Sequence, residues 1–234
     1  MELHEKLVER IVDGFISNKS VIALGGTKTS VEFLKKLAVK AERENKEFKI
    51  IPSSIELASI ASSFNLKVEK PDTYIDLSIE FADQMNYSFN FIKRNTCSLI
   101  RDKIIARAAK ESLVIVSREN FVEKLSGKIP FEISKFFPQI TLAELECFGR
   151  SELRMNGKKE FLTETKHFVA DVEIDEIHSI QDIDFEARRI PGVLETGIFI
   201  NYADKILIAD HKKVELKVKA KDRYPGLELI EVLD

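Results

Sequence analysis

Residues 21–30 read VIALGGTKTS, and the order of elements in this stretch sets the interpretation of the chain. The apolar run Val21–Leu24 has the length of a buried strand, and Gly25-Gly26 ends it in a tight turn. Apolar residues then recur at helical spacing from Val31 to Ala41, so we expect Ser30 to cap a helix. A strand that turns directly into a helix is the unit from which parallel α/β sheets are built.

The same alternation continues to about residue 127. Predicted strands lie at Phe48–Ile51, Tyr74–Ile79, Phe89–Ile92 and Leu113–Val116. Predicted helices begin near Leu3, after Ser53 and Ser54, and at Leu99, the last of these running to Ala109. This order predicts an α/β fold with a doubly wound, mostly parallel sheet. Ligands of such sheets bind beyond the carboxyl ends of the strands, in the loops after Leu24, Ile51, Ile79 and Ile92.

The pattern changes after residue 127. Predicted helices near Gln139–Glu146 and Asp182–Arg189 mix with predicted strands at Phe168–Glu173 and Gly197–Ile200. We therefore expect a small inserted α+β domain at residues 128–201. Strands at Lys205–Ala209 and Lys213–Lys217 would close the first domain, which then comprises residues 1–127 and 202–234. No function is predicted for residues 217–234.

Composition and charge exclude several classes of protein. The net charge is −3 and no basic block is present, which argues against a nucleic-acid partner. No apolar run approaches the ~20 residues of a membrane span, and the charged first turn is unlike a signal peptide. Cys97 and Cys147 lack metal-binding spacing, and the histidines (His4, His167, His178, His211) are scattered. We expect a cytoplasmic protein with two free thiols and no metal.

Two of the predicted loops carry groups that suit a phosphate. The first loop consists of Gly25, Gly26, Thr27, Lys28, Thr29 and Ser30, and it offers backbone N–H groups, hydroxyls and a helix N-terminus to an anion. It has neither the Walker A spacing nor a GxGxxG fingerprint, and a turn of this kind is also common for purely structural reasons. Ser53 and Ser54 supply hydroxyls on the second loop, where they are also candidates for helix caps.

Acidic and basic side chains follow the later strands. Glu80 and Asp83 stand at the end of one strand, Lys93 ends the next, and Asp102 lies in the first turn of a predicted helix. Taken singly, each acid is explained as a solvated side chain, or for Asp102 as a charge that complements the helix dipole. The order of the motifs that contain them carries more information than any one of them.

That order resembles the type A ribose-5-phosphate isomerases. The segments are IDLSIEFADQ (75–84), FNFIKRNTCSLIRDKI (89–104) and IPGVLETGIF (190–199). The family patterns are DGADE, IKG(G/R)GGALLREKI and IPGVVETGLF, in the same order along the chain. Upstream, VIALGGTKTSVEFL and IPSSIELASIA are similar to the two phosphate-side loops of the family. The similarity extends from about Val21 to Ala209.

The resemblance implies a cofactor-free interconversion of ribose 5-phosphate and ribulose 5-phosphate through an enediolate. By position, Asp102 stands for the general base and Lys93 for the cation that stabilises the oxyanion. Glu80 and Asp83 stand for the acids that handle sugar hydroxyls and ring opening. The resemblance also implies a homodimer or homotetramer, which the inserted domain at residues 128–201 would help to form. An alternative that the residues leave open is a non-catalytic sugar-phosphate-binding paralogue, such as a sensor or a regulatory protein.

The chain departs from the family pattern at several of these positions. Asp102 replaces a glutamate, Glu80 replaces an aspartate, and Phe81 replaces a glycine. Residues 94–97 replace the glycine-rich turn, which places Arg94 among the expected substrate contacts. Lys28 is gained in the phosphate loop. The chemical types of the acids and bases are nevertheless kept, which favours a divergent but working isomerase.

Overall fold

The computed structural model describes residues 5–72, 74–210, 213–219 and 229–233. Its helices are α1 (Glu5–Phe15), α2 (Lys28–Glu44), α3 (Ile55–Ser63), α4 (Leu99–Ala108), α5 (Pro138–Leu145) and α6 (Ile180–Ala187). Its strands up to the middle of the chain are β1 (Val21–Leu24), β2 (Lys49–Pro52), β3 (Lys67–Val68), β4 (Ile75–Phe81), β5 (Gln84–Asn86), β6 (Phe91–Ile92), β7 (Ala109–Ser117), β8 (Phe121–Val122) and β9 (Gly127–Ile133). The later strands are β10 (Arg150–Leu153), β11 (Met155–Asn156), β12 (Lys159–Glu160), β13 (Phe168–Ile174), β14 (Val193–Thr196), β15 (Ile198–Phe199), β16 (Lys205–Ala209), β17 (Val214–Val218) and β18 (Leu229–Leu233).

The larger sheet has eight strands in the order β18-β17-β16-β7-β4-β1-β2-β3. From β3 to β16 neighbouring strands are parallel, and β17 and β18 add an antiparallel edge. Leu7 of α1, Phe33 of α2 and Leu57 of α3 share one apolar cluster with the sheet. Ile105 of α4 packs instead with Ala23 and Ile51 in a separate cluster. The predicted α/β fold with a mostly parallel, doubly wound sheet is confirmed.

A second sheet of four antiparallel strands has the order β10-β13-β9-β14 and packs with α5 and α6 around its own apolar core. A third sheet, also of four strands, has the order β15-β6-β5-β8 and pairs Ile198–Phe199 with Phe91–Ile92. The chain therefore leaves the second sheet at Thr196 and immediately pairs beside Lys93. The division into domains at residues 128 and 201 stays a prediction.

Some bounds differ from the predicted ones for local reasons. Thr27, not Ser30, is the N-cap of α2, and Ser30 occupies the third helical position in a capping box. The strand predicted from Phe89 begins only at Phe91, because Phe89 has a left-handed backbone with φ 62°. Strand β7 begins earlier than expected, because Ala109 is already extended where α4 ends.

The expectations about membrane spans, metal sites and free thiols are compared next with the described residues. No helix within the described ranges is long and apolar enough to cross a bilayer. The same ranges contain no group of three or more acidic, histidine or cysteine side chains placed to hold a metal ion. Cys97 and Cys147 are free thiols. Some residues named in the sequence analysis lie outside the described ranges: Leu3, His4, His211 and residues 220–228. In the C-terminal segment, β18 extends the large sheet.

Candidate active site

Three charged side chains meet at the carboxyl edge of the large sheet. Glu80 belongs to the end of β4, Lys93 follows β6 directly, and Asp102 lies in the first turn of α4. Lys93 Nζ contacts both Glu80 Oε2 and Asp102 Oδ2. None of the three side chains has any exposed surface. The structure thus brings together three of the four residues predicted to be catalytic.

Burial and the neighbouring charges together raise the pKa values of both Glu80 and Lys93. Loss of water raises the pKa of Glu80 to about 8, with Lys93 opposing the shift and Asp102 adding to it. Burial alone would lower the pKa of Lys93, but the charges of Asp102 and Glu80 outweigh it and the net shift is upward. At neutral pH the cluster therefore holds an ammonium group and a protonated Glu80. Glu80 Oε1 has no hydrogen-bond partner, so it is free to meet a ligand hydroxyl.

Gly25 is required by this cluster. A Cβ at position 25 would lie 2.6 Å from Lys93 Nζ and closer still to Glu80 Oε2. The Gly25 N–H already donates to the carbonyl of Ile79 at 3.1 Å, so it is not available to an anion. The glycine that sequence reasoning assigned to phosphate binding instead makes room for the two buried charged groups.

Two further groups hold Asp102. The hydroxyl of Thr96 donates to Asp102 Oδ2, and the N–H of Gly26 donates to Oδ1 at 3.4 Å. Thr96 Oγ1 in turn accepts the N–H of Ser98 at 3.3 Å. Sequence reasoning missed Thr96 as a functional residue, because it treated residues 95–97 only as replacements of the family's glycines. A hydroxyl placed just before a helix cap was the available signal.

Asp83 and Arg94 are brought together, but at a turn beside the cluster and not within it. Asp83 accepts the N–H groups of Arg94 and Asn95, the latter at 3.2 Å, and the Asn95 amide at 3.1 Å. The Arg94 guanidinium donates to the carbonyls of Ser126 at 2.6 Å and Lys128 at 2.8 Å. Both side chains therefore stabilise the turn that replaces the glycine-rich segment.

The predicted phosphate loop uses several of its hydroxyls internally. Ser30 Oγ donates to the carbonyl of Gly25 and accepts the N–H of Thr27 at 3.1 Å. Thr27 Oγ1 accepts the N–H of Ser30 at 3.3 Å, which completes the capping box. Lys28 is exposed and Thr29 is partly exposed, so both can reach a ligand.

The second predicted loop contributes one unpaired hydroxyl. Ser54 is the N-cap of α3, and its side chain accepts the N–H of Leu57 at 3.0 Å. Ser53 Oγ is buried and has no hydrogen-bond partner. It lies 3.0 Å from the position that a Cβ on Gly26 would take, so it faces the first loop. An unpaired buried hydroxyl beside a strand-to-helix turn is suited to an oxygen-rich ligand.

The segment IPGVLETGIF (190–199) makes hydrogen bonds both to Lys93 and to α4. The carbonyl of Gly197 accepts the N–H of Lys93 at 3.0 Å, and a Cβ at Gly197 would lie 2.9 Å from the Lys93 carbonyl. Lys103 of α4 donates to Glu195 at 2.7 Å and to Thr196 at 3.3 Å. Burial lowers the pKa of Lys103 to about 8, although Glu195 opposes the shift. The segment thus fixes both the strand of Lys93 and the helix of Asp102.

Comparison with known sequences finds matches over most of the chain. The model of the family Ribose 5-phosphate isomerase A (phosphoriboisomerase A) matches residues 49–213. Ribose-5-phosphate isomerase A 2 of Oceanobacillus iheyensis is 30% identical over 209 residues, which are 88% of this chain and 93% of that protein. Ribose-5-phosphate isomerase A of Korarchaeum cryptofilum is 28% identical over 223 residues, 92% of this chain and 97% of that protein.

Solved structures agree in fold. A D-ribose-5-phosphate isomerase in complex with phospho-erythronic acid superposes with a TM-score of 0.83 and 27% identity, covering 91% of this chain and 96% of that one. Ribose 5-phosphate isomerase A of Methanocaldococcus jannaschii gives a TM-score of 0.82 and 25% identity, covering 92% and 98%. The similarity therefore extends over nearly the whole of each chain.

Proposed function

The chain belongs to the ribose 5-phosphate isomerase A family, and on that premise we propose that its Lys93–Glu80–Asp102 cluster interconverts ribose 5-phosphate and ribulose 5-phosphate, a step of the pentose phosphate pathway. The observation that carries the assignment is the contact of one buried ammonium group with two buried carboxyl groups. An aldose–ketose isomerisation needs a base, a cation beside the developing oxyanion, and a proton donor for oxygen. The cluster supplies one of each.

The roles follow from the contacts. Asp102 takes the proton from C2 of the open-chain aldose and returns it to C1 of the enediolate. The Lys93 ammonium group stabilises the negative charge that develops on oxygen. O1 must gain a proton and O2 must lose one, and Glu80, with a pKa of about 8, can give and recover that proton near neutral pH. Every proton is conserved and no electrons leave the sugar, so the step needs no oxidant, and Lys93 supplies the positive charge at the oxyanion.

Access to the cluster requires movement. Because Glu80, Lys93 and Asp102 have no exposed surface, the sugar can reach them only after the surrounding chain moves. Segment 94–98, which links Lys93 to the start of α4, is proposed to be the part that moves. Closure over the substrate strengthens the interaction of Lys93 with the developing oxyanion, because bulk water is displaced from around the two charges. The bulkier residues that replace the family's glycines therefore suit a site that opens for substrate and closes over it.

The sugar phosphate is proposed to lie between the two loops. Lys28 supplies the charge, and Thr29 and the unpaired Ser53 hydroxyl supply hydrogen bonds. Gly25, Thr27, Ser30 and Ser54 shape these loops rather than bind the ligand. Asp83 and Arg94 hold the neighbouring turn, so their effect on substrate is indirect.

We also propose that the chain forms a homo-oligomer through α5 and the second sheet, β10-β13-β9-β14. Large apolar side chains stand out at the start of α5, where Phe136 is 88% exposed and Phe137 is 65% exposed, with Ile140 one turn further. Such side chains are typical of a protein–protein contact. Light scattering of the parent and of Phe136→Ser tests this, since the variant should dissociate at concentrations where the parent does not. A cytoplasmic location is proposed because the substrates are intracellular sugar phosphates.

The test of the proposed function is ketose formation from ribose 5-phosphate with a metal chelator present. The purified parent chain should produce ribulose 5-phosphate under these conditions. A parent chain that binds phospho-erythronic acid in calorimetry, yet forms no ketose, would reject the isomerase and leave the non-catalytic alternative.

A further inference from the structure

A second buried acid lies behind the catalytic cluster. Glu132 is the second-to-last residue of β9 and has no exposed surface. Its Oε1 accepts from Thr163 Oγ1 at 2.7 Å and from Thr165 Oγ1, and lies 3.1 Å from His167 Nδ1. The donors to its Oε2 are Ser98 Oγ at 3.2 Å and the N–H of Ile100 at 3.2 Å. Burying a charge is costly unless donors surround it, so this set of contacts is specific to a carboxylate.

One of these contacts supports the start of α4. Ile100 lies in the first turn, where backbone N–H groups have no partner within the helix. The Ser98 side chain caps Arg101 at 3.3 Å, and Glu132 supplies the acceptor for Ile100. A carboxylate at this end of the helix also interacts favourably with the helix dipole. An acid from another strand thus completes the cap of the helix that carries Asp102.

A continuous chain of hydrogen bonds leads from Glu132 to Asp102. Ser98 donates its hydroxyl to Glu132 and its N–H to Thr96 Oγ1 at 3.3 Å. Thr96 then donates its hydroxyl to Asp102 Oδ2. Displacement of Ser98 would therefore move the base by two routes, through the helix backbone and through Thr96.

Glu132 also orders a loop that borders the site. Thr163, Thr165 and His167 belong to the segment before β13. From the same segment, Glu164 donates its N–H to the Cys97 carbonyl at 3.0 Å and accepts from Arg101 at 3.3 Å. One carboxylate therefore fixes both the start of α4 and the loop that packs against residues 97–101.

We propose that Glu132 is a positioning residue for the isomerisation. It touches neither substrate nor the reacting atoms. It acts by keeping the Asp102 carboxylate in its position beside the Lys93 ammonium group. The inference rests on the proposed function, because it assumes that Asp102 is the base.

The test is Glu132→Gln, in which the amide keeps the shape but replaces one acceptor oxygen with a donor that faces other donors. We expect kcat to fall by about 10- to 100-fold, as for a misplacement of about 1 Å, with KM within about 3-fold of the parent. Amide hydrogen exchange in residues 99–102 should accelerate at the same time. The matched control is Asp171→Asn on β13, the strand that pairs with β9, where it removes the charge from a part-buried ion pair with Arg154. It should lower thermal stability but leave kcat and the exchange of α4 unchanged.

The outcomes separate this inference from the proposed function. A Glu132→Gln protein with parental kcat and parental exchange in α4 would overturn the positioning role while leaving the isomerase intact. An inactive parent would reject the isomerase, and the exchange measurement would still decide whether Glu132 holds α4. If Glu132→Gln does not fold, Thr165→Val takes its place. This variant removes one donor to Glu132, together with the contacts of the same hydroxyl with Ser98 and Thr163 in the same network. It should lower kcat several-fold at unchanged KM, and an unchanged kcat would reject the role.

Discussion

The hydroxyl of Thr96 donates to Oδ2 of Asp102, the same oxygen that contacts the ammonium group of Lys93. Asp102 is one methylene shorter than the glutamate in the family pattern. Its carboxylate is nevertheless held in place, because Thr96 and Lys93 contact the same oxygen. Glu80, on the other side of Lys93, is one methylene longer than the aspartate of that pattern. Lys93 therefore lies between two acids whose lengths have changed in opposite directions.

The first prediction is that these two changes compensate. Asp102→Glu alone overfills a fully buried site, and Glu80→Asp alone withdraws a carboxyl group from Lys93. Each single variant should lower kcat/KM by about 10- to 100-fold, since about 1 Å of misplacement has that effect. The double variant Glu80→Asp/Asp102→Glu should recover to within about 10-fold of the parent. Steady-state kinetics of all four proteins measures the coupling, and strictly additive losses would contradict it.

The second prediction concerns Gly25. Gly25→Ala places a methyl group against Lys93 and Glu80, so the cluster must rearrange. We expect a loss of more than about 10²-fold in kcat and a destabilisation of about 1–3 kcal/mol. Gly14→Ala is the control, because a Cβ at that helical position meets nothing within 4 Å. It should be neutral in activity and slightly stabilising in urea denaturation, by about 0.5–1 kcal/mol.

The third prediction concerns Lys28. Lys28→Ala should weaken binding of phospho-erythronic acid, and the difference from the parent should shrink as salt rises, because exposed ion pairs are screened. Lys35→Ala is the control, since Lys35 is an exposed lysine further along the same helix. Calorimetry at low and high salt decides the matter. Equal affinity of Lys28→Ala and the parent at low salt would place the phosphate elsewhere.

The fourth prediction follows from the raised pKa of Glu80. Its pKa is 4.5 as a free group and about 8 in the folded protein. Between these values the folded chain binds a proton that the unfolded chain has released, so its contribution to stability falls as pH rises from about 5 to about 8. The free energy of unfolding should decline less steeply across this window in Glu80→Gln, measured with urea. Glu152→Gln, at an exposed position, should keep the parental slope. Parental slopes in both variants would show that Glu80 does not titrate in this way.

Much of the fold and part of the site could be predicted from sequence because the deciding signals are local. Val21–Leu24 with its two glycines identified a buried strand and turn, and the confirmed parallel sheet follows from repetition of that unit. Glu80, Lys93 and Asp102 could be grouped because parallel strands end at one edge of a sheet. The motif order supplied their proposed roles.

The remaining site features depend on contacts between distant segments. Nothing local shows that Ser30 bonds back to Gly25, or that Arg94 reaches the carbonyls of 126 and 128. Glu132 did carry a signal, since it is a lone acid in the apolar run IPFEI (129–133). Its partners come from residues 98–100 and 163–167, which are brought together only by folding.

The central claim is that Asp102 is the base of an isomerase, and exchange of the substrate C2 proton with deuterated water tests it most directly. The parent should incorporate deuterium into ribose 5-phosphate and ribulose 5-phosphate without added metal. Asp102→Asn should lose about 10²- to 10⁴-fold of that exchange while it binds phospho-erythronic acid within a few fold of the parent. Exchange at the parental rate in Asp102→Asn would contradict the account and move the base to another residue, with Glu80 the next candidate.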